Sequence, residues 1–171
     1  MRRNRILFAL IALACAGVLG VAMVMEHIMG LEPCPLCMLQ RMAFVGVGLV
    51  ALLAALIGPK GWGVRFGGGL TVIPAVLGAG LAGRQLWLQS LPAEEIPPCG
   101  PGYDYLREAF PLTDVIRMAL EGSGDCAEIQ WQFLGLSIPG WSFILFALCA
   151  LAGLWLLVFG SGQRRDGLLD W

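Results

Sequence analysis

The sequence predicts an all-α membrane protein: a four-transmembrane-helix bundle with a long outer loop carrying a short amphipathic interfacial helix. Three observations predict it. Of 171 residues, 58% are apolar and only 13% charged, and mean hydropathy is +0.77. Soluble domains carry about 25% charged residues, so most of this surface cannot face water. Four long apolar runs divide the chain, and the charges between them are segregated. Net charge is −1, so no bulk basic field draws the chain to nucleic acid.

The whole chain, 1–171, reads as a single four-span membrane domain, with spans at about 6–25, 38–57, 66–91 and 134–160. The first run has no charge, and a helix of about twenty residues rises about 30 Å, enough for the hydrocarbon core. Arg2, Arg3 and Arg5 before it resemble a signal n-region, but the apolar run exceeds the 7–15 residues or so of a signal peptide. The span is therefore expected to be retained. The second run is interrupted only by Arg41, the third only by Arg84, and the fourth carries no charge. Pro74, Pro139 and many glycines fall within these runs, which membrane helices tolerate.

Alternating spans put Arg2, Arg3, Arg5, Lys60, Arg65, Arg164 and Arg165 on one side. The other side holds loops at about 26–37 and 92–133. The longer loop carries Glu94, Glu95, Asp104, Glu108, Asp114, Glu121, Asp125 and Glu128 against Arg107 and Arg117. Cationic loops stay in the cytoplasm, so both termini are expected there. All four loop cysteines, Cys34, Cys37, Cys99 and Cys126, then lie outside, which in a Gram-negative cell is the oxidising periplasm.

Cys34-Pro35-Leu36-Cys37 is a CxxC motif. Its short ring does little for stability, since stabilisation grows with loop length, and the spacing goes with lowered thiol pKa. The prolines keep the approach extended, so the second span starts around Cys37, where a helix N-terminus favours a thiolate. Arg41 lies one turn deeper on the same face. A cation at membrane depth reads as functional, with the Cys37 thiolate as partner, or as a side chain snorkelling to the headgroups. Cys99 sits in an extended Pro-Pro-Cys-Gly-Pro segment, and Cys126 follows Gly122-Ser123-Gly124-Asp125. Taken alone, that pair is a structural staple; with a CxxC on the same face, it can exchange electrons with it.

Leu112, Val115, Ile116, Ala119 and Leu120 follow helical spacing, and Thr113, Asp114, Arg117 and Glu121 fill the other positions. This stretch is expected to lie flat on the membrane surface or to pack on the tops of the spans. Cys15 and Cys149 fall inside apolar runs and read as small apolar residues. His27 is expected to be an interfacial polar residue, with proton handling as the alternative, and Trp131 and Trp141 to be interfacial anchors flanking the fourth span.

Specific motifs now converge. Glu26-His27-Ile28-Met29 leads into Pro33-Cys34-Pro35-Leu36-Cys37 and Gln40-Arg41, while Ser123-Gly124-Asp125-Cys126-Ala127-Glu128 continues into Gln130-Trp131 and Phe133-Leu134-Gly135-Leu136. With four spans and two loop cysteine pairs, the chain resembles the DsbB family of bacterial disulfide-bond formation proteins over nearly its whole length. The resemblance implies a protein dithiol:quinone oxidoreductase of the inner membrane. A DsbA-like periplasmic thioredoxin-fold protein would attack a Cys99–Cys126 disulfide at Cys99. Cys126 would then exchange with Cys34, freeing Cys37 to face a quinone (ubiquinone or menaquinone), with Arg41 at the quinone oxygen. Some family members carry a histidine near the outer end of span three. Here Leu86-Trp87-Leu88-Gln89-Ser90 has none and Arg84 is the nearest charge, so no third-span residue is carried over to the quinone site.

Three other readings compete. Vitamin K epoxide reductase-like proteins share the chemistry, but there the loop pair precedes the CxxC. A non-enzymatic scaffold with two structural disulfides leaves Arg41 unexplained. A zinc site would bring two close pairs, which Cys99 and Cys126 are not.

Overall fold

A computed structural model describes residues 2–31, 33–92, 94–96, 120, 122 and 124–160. Four long helices, α1 (Arg2–His27), α2 (Pro35–Ile57), α3 (Trp62–Gln89) and α5 (Ile138–Phe159), are each long and apolar enough to cross a membrane. Before α5 come a short helix α4 (Gly124–Ala127) and an antiparallel hairpin, β1 (Gln132–Phe133) with β2 (Leu136–Ser137). The protein is a multi-pass membrane protein. Leu13, Leu53, Leu77 and Leu151, one on each long helix, are all more than half exposed. An apolar belt of that extent suits lipid and not water.

The helices pack in chain order, α1 on α2, α2 on α3 and α3 on α5, the last pair in closest register. Small residues explain that closeness. A Cβ added to Gly68 would lie 2.7 Å from the Gly153 carbonyl oxygen, and one on Gly78 would lie 2.4 Å from the Phe146 ring. Membrane helices gain nothing from burying one apolar surface against another in lipid, so close backbone approach and ring packing hold them together. Phe146 stacks on Phe44 of α2 with centroids 3.8 Å apart, and the main core runs from Phe8 to Leu156 around them.

At the end opposite the CxxC, polar side chains cap helix C-termini. Asn4 donates to the Gly160 carbonyl at 3.1 Å, Arg5 to the Ala55 carbonyl at 2.7 Å and Arg65 to the Leu157 carbonyl at 3.0 Å. These carbonyls belong to the last turns, which lack intrahelical donors and attract cations.

Two element bounds differ from the sequence expectation in ways that matter. α2 begins at Pro35 and not near residue 38, because Pro35 fits the first helical position and Cys34 caps the end from an extended conformation (φ −71, ψ 161). Residues 134–137, expected within the fourth span, instead form the hairpin. Leu134 (φ 54) and Gly135 (φ 79) supply the paired positive φ values of a two-residue turn. The expected amphipathic stretch at 112–120 lies outside the described residues apart from Leu120.

Candidate functional site

The CxxC turn, α4 and the middle of the last turns of α3 converge at one end of the bundle. Cys34 is the N-cap of α2, and its sulfur accepts the Cys37 backbone N–H at 3.4 Å. That capping bond turns both side chains to the same side, leaving the two sulfurs 2.8 Å apart. Cys126 reaches the same point from α4. Gly122 has φ +84, and an added Cβ there would sit 2.6 Å from Leu88, so only glycine lets this segment press onto α3. Cys126 is fully buried with Cys34, Leu36, Leu88 and Ala127 in a second small core. Its sulfur is hydrogen-bonded to Cys34. The Cys34 thiol is pushed above its ordinary range, chiefly by the hydrogen bond with Cys126, then by the one with Cys37, then by burial.

Two glutamines complete the cluster. Gln85 of α3, 3% exposed, donates its amide nitrogen to Cys34 Sγ and Cys37 Sγ, each at 3.4 Å. Its Oε1 accepts from Gln40 of α2 at 2.7 Å. A crevice of about 20 Å³, room for about one water, opens beside the sulfurs and is bordered by Gln89, Asp125, Glu128 and Trp131. Ser137 donates to Gln89 at 2.7 Å, and Trp141 donates to the Phe133 carbonyl at 3.2 Å beside a Trp131–Phe133 stack. These contacts fasten the hairpin over the crevice.

Of the residues singled out from sequence, Cys34, Cys37 and Cys126 are brought together. Cys99 lies outside the described residues. Arg41 is one turn from Cys37, but its described partners are the Glu26 carboxylate, the Ala22 carbonyl at 3.2 Å and the Met38 sulfur at 3.9 Å, and not Cys37. Both side chains of the ion pair are less than a third exposed, at 21% and 30%. Glu26 is therefore the counter-charge that the membrane-depth cation needs. His27 is exposed at the end of α1, its Nδ1 3.1 Å from the Met23 carbonyl. Arg84 turns away from the sulfurs, lying over the Trp87 ring at 4.3 Å and donating to the Leu120 carbonyl at 3.5 Å.

Gln85 was missed by sequence reasoning. The signal was there: with Gln40, it is an uncharged polar side chain within an apolar span, and such a residue must find a partner inside the bundle.

Four apolar helices with three sulfurs meeting at one end define a membrane thiol–disulfide protein. The comparisons narrow the class. Residues 4–156 match the family described as "Disulfide bond formation protein DsbB". The chain is 54% identical over 168 residues to Disulfide bond formation protein B of Marinobacter nauticus, covering 98% of this chain and 97% of that one. It is 49% identical over 164 residues to the protein of the same name from Chromobacterium violaceum, covering 96% of each. The chain belongs to the DsbB family, and its role is disulfide bond formation.

Proposed function

We propose that the chain is a protein dithiol:quinone oxidoreductase of the bacterial inner membrane, with both termini cytoplasmic and both cysteine-bearing loops periplasmic. A reduced DsbA-like thioredoxin-fold partner attacks the Cys99–Cys126 disulfide at Cys99. The partner's second thiol then displaces Cys99, leaving the partner oxidised and Cys99 and Cys126 reduced. Cys126 attacks Cys34, a Cys34–Cys126 bond forms, the Cys34–Cys37 bond breaks, and its electron pair stays on Cys37. The observation that carries this reading is the position of the Cys34 sulfur, in contact with Cys37 on one side and Cys126 on the other. An exchange needs that three-sulfur row, whereas a structural staple needs only a pair. Charge segregation supports the orientation, with seven of the cationic residues falling on the side away from the cysteines.

The residues at the mouth of α2 fit a quinone. Arg41 supplies a cation near Cys37, Met38 lies between them in sequence as an apolar wall, and Cys37 is only partly buried. When bound, a quinone would supply the two-electron acceptor for the Cys37 thiolate. Arg41 would orient it and hold charge at its oxygen, with Glu26 keeping the guanidinium in place.

The test is anaerobic, with protein in detergent, a short-chain quinone and a reduced DsbA-like partner, following quinone absorbance. Consumption one-for-one with partner disulfide, stopped by Cys37→Ser and by Cys99→Ser, is the expected result. No consumption by wild type across several quinones and partners sinks the reading.

A further inference from the structure

We propose that Gln85 is a catalytic hydrogen-bond donor to the sulfur released during exchange, and that Gln40 is the positioning residue that fixes which end of the Gln85 amide faces the sulfurs. The inference rests on the dithiol exchange proposed above and adds the group that stabilises its leaving sulfur.

When Cys126 attacks Cys34, a bond forms between those sulfurs, the Cys34–Cys37 bond breaks, and Cys37 leaves as an anion with the electron pair. No proton moves and the number of disulfides is unchanged. The anion appears in a nearly dry place, and an unpaired charge there is costly. Among the described residues bordering the crevice there is no Lys, Arg or His, and Asp125 and Glu128 can only disfavour the anion. The Arg41 guanidinium is directed to Glu26, Ala22 and Met38. The helix N-terminus and the Gln85 amide are what remain. The amide nitrogen stands 3.4 Å from Cys34 Sγ and 3.4 Å from Cys37 Sγ, so one donor serves either sulfur as the bond shifts between them.

An amide could equally turn its oxygen to the sulfurs, where it would favour thiols over thiolates. Gln40 decides between the two. Its Nε2 donates to Gln85 Oε1 at 2.7 Å, which holds that oxygen on the Gln40 side, 3.7 Å from Cys37 Sγ, and leaves the Gln85 nitrogen nearer both sulfurs, at 3.4 Å from each. Gln40 itself is 3% exposed and touches neither sulfur in any described hydrogen bond, so it acts through Gln85. Two glutamines that only cross-linked α2 and α3 could satisfy each other and would need no sulfur.

The test uses the reduced full-length protein in detergent and follows the rate of Cys37 alkylation by iodoacetamide, by mass spectrometry of its peptide, from neutral to alkaline pH. Gln85→Leu and the near-isosteric Gln85→Glu should alkylate about tenfold more slowly at neutral pH, as expected for losing one hydrogen bond to a charged acceptor. Both should converge on the wild-type rate at alkaline pH, where the thiolate forms regardless. Gln40→Leu should show a smaller loss of the same shape. Unchanged profiles in both Gln85 variants, or slowing by an equal factor at every pH, overturn the proposal, since the second pattern reports access and not anion stabilisation. Where Gln85→Leu does not keep the bundle intact, Gln85→Glu decides. The alkylation needs neither quinone nor partner, so wild-type quinone turnover tests the oxidoreductase reading separately.

Discussion

Cys34, Cys37 and Cys126 meet at one end of the bundle, whereas Cys15 and Cys149 meet partway along it, between α1 and α5. Both groups are largely buried, and Cys15 and Cys149 share the main core. Their surroundings differ. The first group has a helix N-terminus, a backbone N–H and a glutamine amide pointing at sulfur. The second lies in the main core among Phe8, Val47, Phe44 and Phe146, with side chains that donate nothing. Proximity of thiols is thus not what makes a redox site. Donors for the anion and a row of three sulfurs distinguish one group from the other.

The comparison breaks most sharply through substitution of the sulfurs. Cys34→Ser should abolish quinone turnover, while the double variant Cys15→Ala, Cys149→Ala should keep it within about twofold and lose only about 1 kcal/mol of stability per site. Loss of turnover in that double variant would place the mid-membrane pair in the electron path. Next in size is Gly122→Ala. A side chain there strains a positive φ and collides with Leu88, at roughly 1–3 kcal/mol, and should slow formation of the Cys34–Cys126 bond about tenfold. Mixing the oxidised protein with the reduced partner, quenching with acid, alkylating the free thiols and following the Cys34–Cys126 linked peptides by mass spectrometry measures the rate.

A smaller effect sharpens the electrostatics. Cys126 is the largest cause of the raised Cys34 value, and a raised value keeps the thiol protonated to higher pH. Cys126→Ala should lower it and speed Cys34 alkylation severalfold at mildly alkaline pH. An unchanged rate would mean that burial and Cys37 dominate. Smallest is Ser137→Ala, which removes the bond to Gln89 and should cost about 1 kcal/mol in thermal unfolding, with the mid-membrane core unaffected.

The four helices were legible because hydrophobic length and charge placement are properties of the chain itself. The sulfur-bearing motifs were legible for the same reason, as CxxC and the glycine-rich approach to Cys126 are local patterns. What was not legible depends on contacts between segments. Phe133-Leu134-Gly135-Leu136 is apolar enough to read as the start of a span, and only the positive φ values of Leu134 and Gly135 make it a hairpin. Arg41 advertised a need for an anion, but whether Glu26 or a thiolate met it depends on how α1 packs on α2. Gln85 carries no charge and belongs to no local motif. Its importance appears only once α2 brings Gln40, Cys34 and Cys37 against it.

The glycine contact between α3 and α5 has a consequence for traffic in the bilayer. Where Gly68 meets the Gly153 carbonyl, the two backbones leave no seam for an acyl or isoprenoid chain. That flank of the bundle is a closed wall. The open apolar groove lies elsewhere, between α1 and α2, where Leu13, Ala16, Leu49 and Leu52 border about 570 Å³ of space.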